Sequence, residues 1–358
     1  MKFSYSFLPL IFSIVLLSAC KKSTDDAPGP SPTGATVTTL TGTTAGGFSD
    51  GTTATAAFQD PSGIAVDAAG NIYVSDTDNN RIRKITPDGT VTTLAGSSTS
   101  GSDNGTGANA SFFQQMGIAV DLSGNVYVAD FYNNLIRKVT SAGVVTTLAG
   151  SGTYAFAEGT GIAASFKAPS AVTVDRQGNV FVCDTENNRI RKITSAGAVT
   201  TFAGSGASGA DNGTGTAATF YLPQGIVIDA KGTLYVSEQG NNLIRQITSA
   251  GVVTTIAGTG SAGHADGIGT SASFSIPNGL AIDSTGNLYV ADMWNHMIRK
   301  VVISTGVVST IAGSTNYGAV NSKGVSASFR DPAAVALDAS GNIYVADYAN
   351  NLIRKIAK

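Results

Sequence analysis

The chain has 358 residues, of which 42% are hydrophobic and only 13% are charged. Its 24 acidic residues outnumber its 22 basic residues, which gives a net charge of −2. A mildly acidic chain lacks the basic surface on which nucleic-acid binding depends, so we expect no nucleic-acid partner.

Residues 1–19 have the layout of a secretory signal peptide, with a basic start at Lys2, an apolar run and small residues before Cys20. The apolar run is too short to span a bilayer as a helix. The sequence LSAC, residues 17–20, resembles the lipobox of bacterial lipoproteins. That resemblance implies cleavage before Cys20 and lipidation of Cys20, where several acyl chains would give a stable anchor. The alternative is an ordinary signal peptide followed by a chance cysteine.

Residues 20–34 are polar and rich in Pro, Ser and Gly, which predicts a flexible tether after the lipid anchor. Lys21 directly after Cys20 resembles lipoproteins sorted to an outer membrane, and Asp25 and Asp26 resemble surface-export signals. We therefore expect an exported protein anchored by lipid in the cell envelope, at the outer membrane, with periplasmic or outward orientation left open.

The rest of the chain is a repeat of 54 residues, shown by six aspartates whose spacing is 54 four times and then 55. These are Asp67, Asp121, Asp175, Asp229, Asp283 and Asp338. Each unit holds four short segments such as GIAVD, NIYVSD, RIRKIT and VTTLAG, rich in β-branched residues and bounded by turn residues. Four strands per unit at this period predict a β-propeller blade, and six units predict six blades.

An unpaired copy of the fourth segment precedes the first unit, and the sixth unit lacks that segment. The copy is ATVTTLTG at residues 35–42, and the chain ends at NIYVADYANNLIRKIAK. We therefore predict an all-β, six-bladed propeller over residues 35–358, with four-stranded antiparallel blades. Residues 37–42 would pair with the strand around Ile353 to Ile356 and close the ring.

An acid at the end of the second segment is matched by an arginine in the third segment of every unit. We interpret these as six structural ion pairs within blades, because a single site cannot use six equivalent copies. A six-fold polar binding ring is the alternative. The pairs are Asp76 with Arg83, Asp130 with Arg137, Asp184 with Arg191, Glu238 with Arg245, Asp292 with Arg299, and Asp347 with Arg354.

The two residues that directly follow each acid vary from blade to blade. The up-and-down strand order puts them on the same face as the long loops between blades. Large side chains fall in blades two, five and six: Phe131, Tyr132, Met293, Trp294 and Tyr348. Blade one, between six and two, supplies Asp78. This arc suits the apolar faces and hydroxyl edges of sugars, and it equally suits a peptide or protein surface. The alternative is that these rings pack on neighbouring loops.

Both histidines of the chain belong to blade five on this face: His264 in the loop that enters it and His296 in its Asn-Asn loop position. A simple packing role for an aromatic side chain explains His264 equally well, because Phe48 and Phe156 occupy the equivalent position. Acid-base chemistry by the two histidines with a carboxylate is the enzymatic alternative. We expect no metal and no cofactor, since two histidines cannot build a three-histidine zinc site and most D-x-G loops offer a single carboxylate.

The repeated phrase D-x-x-G-N-[IVL]-Y-V-[AS]-D-x-x-N-N-x-I-R-K resembles the NHL-repeat family over about 320 residues. The resemblance implies a six-bladed propeller that binds other molecules, and it implies no single activity, since some relatives are lyases. We expect a monomeric ring that acts as a non-catalytic binding scaffold for a glycan, peptide or protein. A lyase or hydrolase and a purely structural surface component are the alternatives.

Overall fold

The computed structural model describes residues 35–357. The predicted signal peptide at 1–19, the lipidation site Cys20 and the tether at 20–34 lie outside the described residues. Six antiparallel sheets follow one another along the chain, which confirms the predicted all-β, six-bladed propeller. Within residues 35–357, no helix is long and apolar enough to cross a membrane.

Each blade runs from an inner strand at the axis to an outer strand. In blade one the strands are Pro61–Val66, Ile72–Asp76, Arg81–Ile85 and Thr90–Gly96. Blades two and three comprise Gln115–Val120, Val126–Asp130, Leu135–Val139 and Val144–Ala149, then Pro169–Val174, Val180–Asp184, Arg189–Ile193 and Ala198–Ala203. Blades four and five comprise Pro223–Ile228, Leu234–Glu238, Leu243–Ile247 and Val252–Ala257, then Pro277–Ile282, Asn287–Asp292, Met297–Val302 and Val307–Gly313. Blade six comprises Pro332–Leu337, Ile343–Asp347 and Leu352–Ala357, completed by Thr36–Gly42.

Strand Thr36–Gly42 closes the ring, as predicted. It pairs antiparallel with Leu352–Ala357, with Val37 opposite Ile356 and Gly42 opposite Leu352. Val37 is fully buried in the core between blades five and six, while Leu40 packs on the core between blades six and one. The first strand of the described chain therefore joins its last blade to both neighbours.

The blades carry one feature that the repeat did not predict. Five of them gain a fifth, two-residue strand from the loop that enters the blade, and it pairs with the outer strand. These strands are Gly51–Thr52, Gly105–Thr106, Gly159–Thr160, Gly213–Thr214 and Gly267–Ile268. Blade six has a single bridge, Thr36 to Lys323, in the same place. The prediction of four strands per blade therefore missed one short strand in five of the blades.

Short 3₁₀ helices complete the loops. Four follow the second strands, at Phe131–Asn133, Thr185–Asn187, Met293–Asn295 and Tyr348–Asn350. Five follow the edge segments, at Gly107–Asn109, Gly161–Ala163, Gly215–Ala217, Gly269–Ser271 and Gly324–Ser326.

The blades pack around a narrow axis. A Cβ on Gly63 would clash with the carbonyl oxygen of Met116 on the next inner strand, so glycine permits this close approach. Apolar side chains fill the wedges between blades, and each wedge includes one buried phenylalanine from a long loop. These phenylalanines are Phe58, Phe112, Phe166, Phe220, Phe274 and Phe329.

Candidate functional site

The loop after each second strand begins at the repeated acid, which organises the local backbone. In blade two, Asp130 accepts hydrogen bonds from the Phe113 backbone N–H at 2.9 Å, from Asn133 Nδ2 at 2.9 Å and from Arg137 Nη1 at 2.8 Å. The chain then makes one 3₁₀ turn and reaches Asn134 in the left-handed region, at φ 55°. Asn tolerates this conformation, which explains the second Asn of the repeat.

The same acid–arginine contact recurs in all six blades, with nitrogen–oxygen distances of 2.5 to 2.9 Å and both side chains fully buried. In blade two, Arg137 lies over the Phe112 ring, and its Nη2 donates to the Asp103 carbonyl and to Asn104 Oδ1. Burial raises the pKa of Asp130, and the Arg137 guanidinium opposes that shift. The twelve residues join strands two and three of their blades to the long loop.

A cavity of about 310 Å³ opens on the loop-rich face above the channel. Five of the eight ligand-binding candidates from the sequence line it: Phe131, Tyr132, Met293, Trp294 and Tyr348. Trp294 is 63% exposed and Tyr132 is 53% exposed, so their rings are open to a ligand.

Aromatic side chains of blade two form one wall of this cavity. Phe131 and Tyr132 pack edge to face with their ring centroids 5.1 Å apart, and Phe113 lies 5.0 Å from Tyr132. Phe113 is 40% exposed and was missed in the sequence, because it stands in the long loop rather than after the acid. The stacking holds the Tyr132 ring in place while leaving half of it uncovered.

The cavity floor comes from a position that sequence reasoning missed. The second residue of each inner strand points into the channel mouth, and it varies between blades while its neighbours repeat. The five that line the cavity are Ser62, Met116, Gln224, Asn278 and Ala333. In the sequence, the residue before this position is proline or glutamine in every blade, and the residue after it is glycine or alanine. Variation at this one position, between neighbours that hardly change, was the signal that could have revealed it. Gln224 and Asn278, together with Gln114 and Gln239, add amide groups to the apolar wall.

Acidic side chains lie near Tyr348 at one side of the cavity, and none of them, the predicted candidate Asp78 included, lines it. Asp78 is exposed and accepts a hydrogen bond of 2.6 Å from Gln114 Nε2. Burial, and then the neighbouring Asp78, raise the pKa of Asp60 to about 6. Burial, followed by the charges of Asp60, Asp78 and Asp331, raises the pKa of Tyr348. Blades six and one therefore give this side of the cavity a negative potential.

The NHL repeat profile matches residues 58–85, 166–193, 274–301 and 329–356. Each match starts at a buried loop phenylalanine and ends in the third strand of blade one, three, five or six. The chain is an NHL-repeat protein. Blades two and four repeat the same strands and ion pairs, so the NHL architecture extends round the whole ring.

Curated relatives are similar to this chain over part of their own, longer sequences. NHL repeat-containing protein 2 of Bos taurus is 27% identical over 337 residues, which cover 82% of this chain and 46% of the relative. The chloroplastic protein Suppressor of quenching 1 of Arabidopsis thaliana is 31% identical over 285 residues, covering 74% of this chain and 27% of the relative. The chain thus spans less than half the length of these relatives.

A solved structure shares the propeller fold. An auxiliary nutrient binding protein from Bacteroides thetaiotaomicron superposes with a TM-score of 0.68 at 15% identity, over 90% of this chain and 76% of that chain. At this identity the likeness concerns the fold alone.

The two histidines of blade five have different surroundings. His296 lies in the left-handed region at φ 57°, and its Nδ1 accepts the Asp331 backbone N–H at 3.2 Å. In blade two, Asn134 Oδ1 accepts the equivalent N–H, that of Ala168 before the inner strand of blade three. His264 is exposed, and among the described residues no hydrogen bond or ion pair uses its side chain. Neither histidine lines the 310 Å³ cavity.

The D-x-G loops use their polar side chains for the scaffold. Asp266 Oδ1 accepts hydrogen bonds from Arg299 Nη2 at 2.8 Å and from Thr310 Oγ1 at 3.1 Å, and Asp50 does the same with Arg83 and Thr93. In residues 35–357, no cluster of three or more His, Cys, Asp or Glu side chains could hold a metal ion.

Proposed function

We propose that this chain is a non-catalytic binding protein, held in the cell envelope by lipid on Cys20, whose NHL propeller binds a glycan or peptide in the aromatic cavity. The observation that carries the proposal is the open cavity lined by Trp294 and Tyr132. Leaving large aromatic rings exposed to water has no benefit for folding, whereas burying them against a ligand is favourable.

The size and chemistry of the cavity support a small ligand or one unit of a longer chain. A volume of about 310 Å³ lies at the lower end of ligand pockets. Aromatic faces can pack on the apolar face of a sugar or side chain, and the amides of Gln224, Gln239 and Asn278 can fix its polar edges. The similar fold of an auxiliary nutrient binding protein supports binding as the role of this ring.

The test is a binding screen of residues 34–358 against glycan and peptide arrays, with Trp294→Ala in parallel. Tyr154→Ala is the matched control, because Tyr154 is another exposed aromatic residue, 53% exposed against 63% for Trp294, and lies outside the cavity. We expect signals that Trp294→Ala abolishes and Tyr154→Ala preserves. Specific signals that survive Trp294→Ala would place binding elsewhere and contradict the proposed site.

The anchoring part of the proposal has its own experiment. Cells supplied with a traceable fatty acid should label the protein, and Cys20→Ser should remove the label and release the protein from membranes. Label that persists in Cys20→Ser would contradict the lipoprotein assignment.

A further inference from the structure

We propose that the cavity selects a ligand that carries an organic cation, with the ammonium or guanidinium group next to the acids of blades six and one. This inference rests on the proposed function, and it names the chemical class of the ligand.

Three carboxylates lie near Tyr348 on one side of the cavity, outside its lining, and none of them is paired with a lysine or an arginine of the described chain. Asp60 and Asp331 occupy the position before the inner-strand proline in blades one and six, with φ 50° and 52°. Among the ion pairs of the described residues, none joins Asp60 or Asp78 to a lysine or arginine, and Asp331 contacts only His296, at 3.3 Å. Like charges this close repel one another, and a cationic ligand would relieve that repulsion.

The aromatic wall favours the same class of ligand. Trp294, Tyr132 and Phe131 line the cavity with aromatic rings, and the faces of such rings attract ammonium and guanidinium groups. None of the residues that line the cavity is a lysine or an arginine. The acids would repel an anionic ligand, and a neutral ligand would leave them without a counter-charge.

The experiment compares probes that differ in charge, near neutral pH and at low salt. One arm uses the peptide acetyl-Gly-Lys-Gly-amide and its acetyl-lysine counterpart. The other arm uses glucosamine and N-acetylglucosamine, so the arms distinguish a peptide side chain from an amino sugar. Trp294 is the only tryptophan in the chain, so its fluorescence reports occupancy of this cavity, and titration calorimetry gives the dissociation constant.

We expect the charged member of at least one pair to bind about tenfold more tightly than its neutral partner. Asp78→Asn should reduce that preference to about threefold or less. Glu186→Gln is the matched control, because Glu186 holds the equivalent position in blade three, away from the three acids. It should leave the preference unchanged.

Equal or tighter binding of the neutral members would overturn the cation inference. If that binding still required Trp294, the proposed function would stand. If Glu186→Gln reduced the preference as much as Asp78→Asn does, the cation inference would also be overturned, because the effect would then come from overall charge. Absence of binding by all four probes would overturn it too, and the array screen decides the broader function separately.

Discussion

The arginine at the centre of each blade is the most constrained residue of the repeat. Arg191 is fully buried, pairs with Asp184 at 2.9 Å and donates from Nη2 to the Ala157 carbonyl. Its Nε has no hydrogen-bond partner, as in the other five blades. Removing water from two charges is costly, so the pair contributes mainly by fixing which strand and loop lie together.

Arg191→Met should therefore be strongly destabilising, because it leaves the Asp184 carboxylate buried without its cation. We expect a loss of about 3 to 5 kcal/mol in the free energy of unfolding. Arg189→Met is the control two residues away, where the guanidinium is half-buried over Phe156 at 4.1 Å and should contribute less than about 1 kcal/mol. Chemical denaturation of both variants measures the difference, and equal losses would contradict a special role for the buried pair.

Asp60 makes stability depend on pH. Burial comes first among the causes that raise its pKa from 3.8 to about 6, followed by Asp78, with Asp76 adding to them and Gln59 opposing. Between about pH 4 and pH 6 the folded chain holds a proton that the unfolded chain has released. Proton binding favours the folded state, so this contribution is full below about pH 4 and is lost as the pH rises to about 6.

Asp60→Asn should remove that dependence. We expect the variant to melt at a higher temperature than the parent near neutral pH and at the same temperature near pH 4. Asn also suits the left-handed φ of 50° at this position. Thermal melts across this pH range test the expectation, and an unchanged pH profile in the variant would contradict it.

At the scale of the single element, the turn after each second strand is set by its last residue. His296 occupies that place in blade five and makes the same inter-blade bond as the asparagines, through Nδ1. His296→Asn should therefore leave the fold, the thermal midpoint and binding to the cavity essentially unchanged, because Asn Oδ1 can accept the Asp331 N–H. Loss of binding or turnover in a stable variant would show that the imidazole has its own function.

The sequence predicted strands better than it predicted contacts across the ring. The four long strands have β-branched residues and turn residues at fixed spacing, so their order followed from the repeat. The two-residue edge strands consist of Gly-Thr or Gly-Ile in glycine-rich loops, where no alternation marks a strand. Cavity residues after the acid were found by their variation, whereas Gln224 and Asn278 sit inside inner strands, where repeat position alone does not show that they face the channel mouth.

At the scale of the whole molecule, closure decides whether the ring has a free edge. Without Thr36–Gly42, the strand Leu352–Ala357 would become an unpaired edge, and the cores on both sides of blade six would lose Val37 and Leu40. An exposed edge strand favours pairing with another chain, so opening the ring should lower stability and promote association.

Deletion of residues 35–43 should therefore lower the thermal midpoint by about 10 °C or more, since it removes a seven-residue strand and a buried valine. Val37→Ala is the milder variant, with an expected loss of about 1 to 3 kcal/mol from the missing methyl groups. Deletion of residues 22–30 removes the same length of chain outside the described region and should leave the midpoint unchanged. A ring that melts at the parental temperature without residues 35–43 would show that the blades hold together without this closing strand.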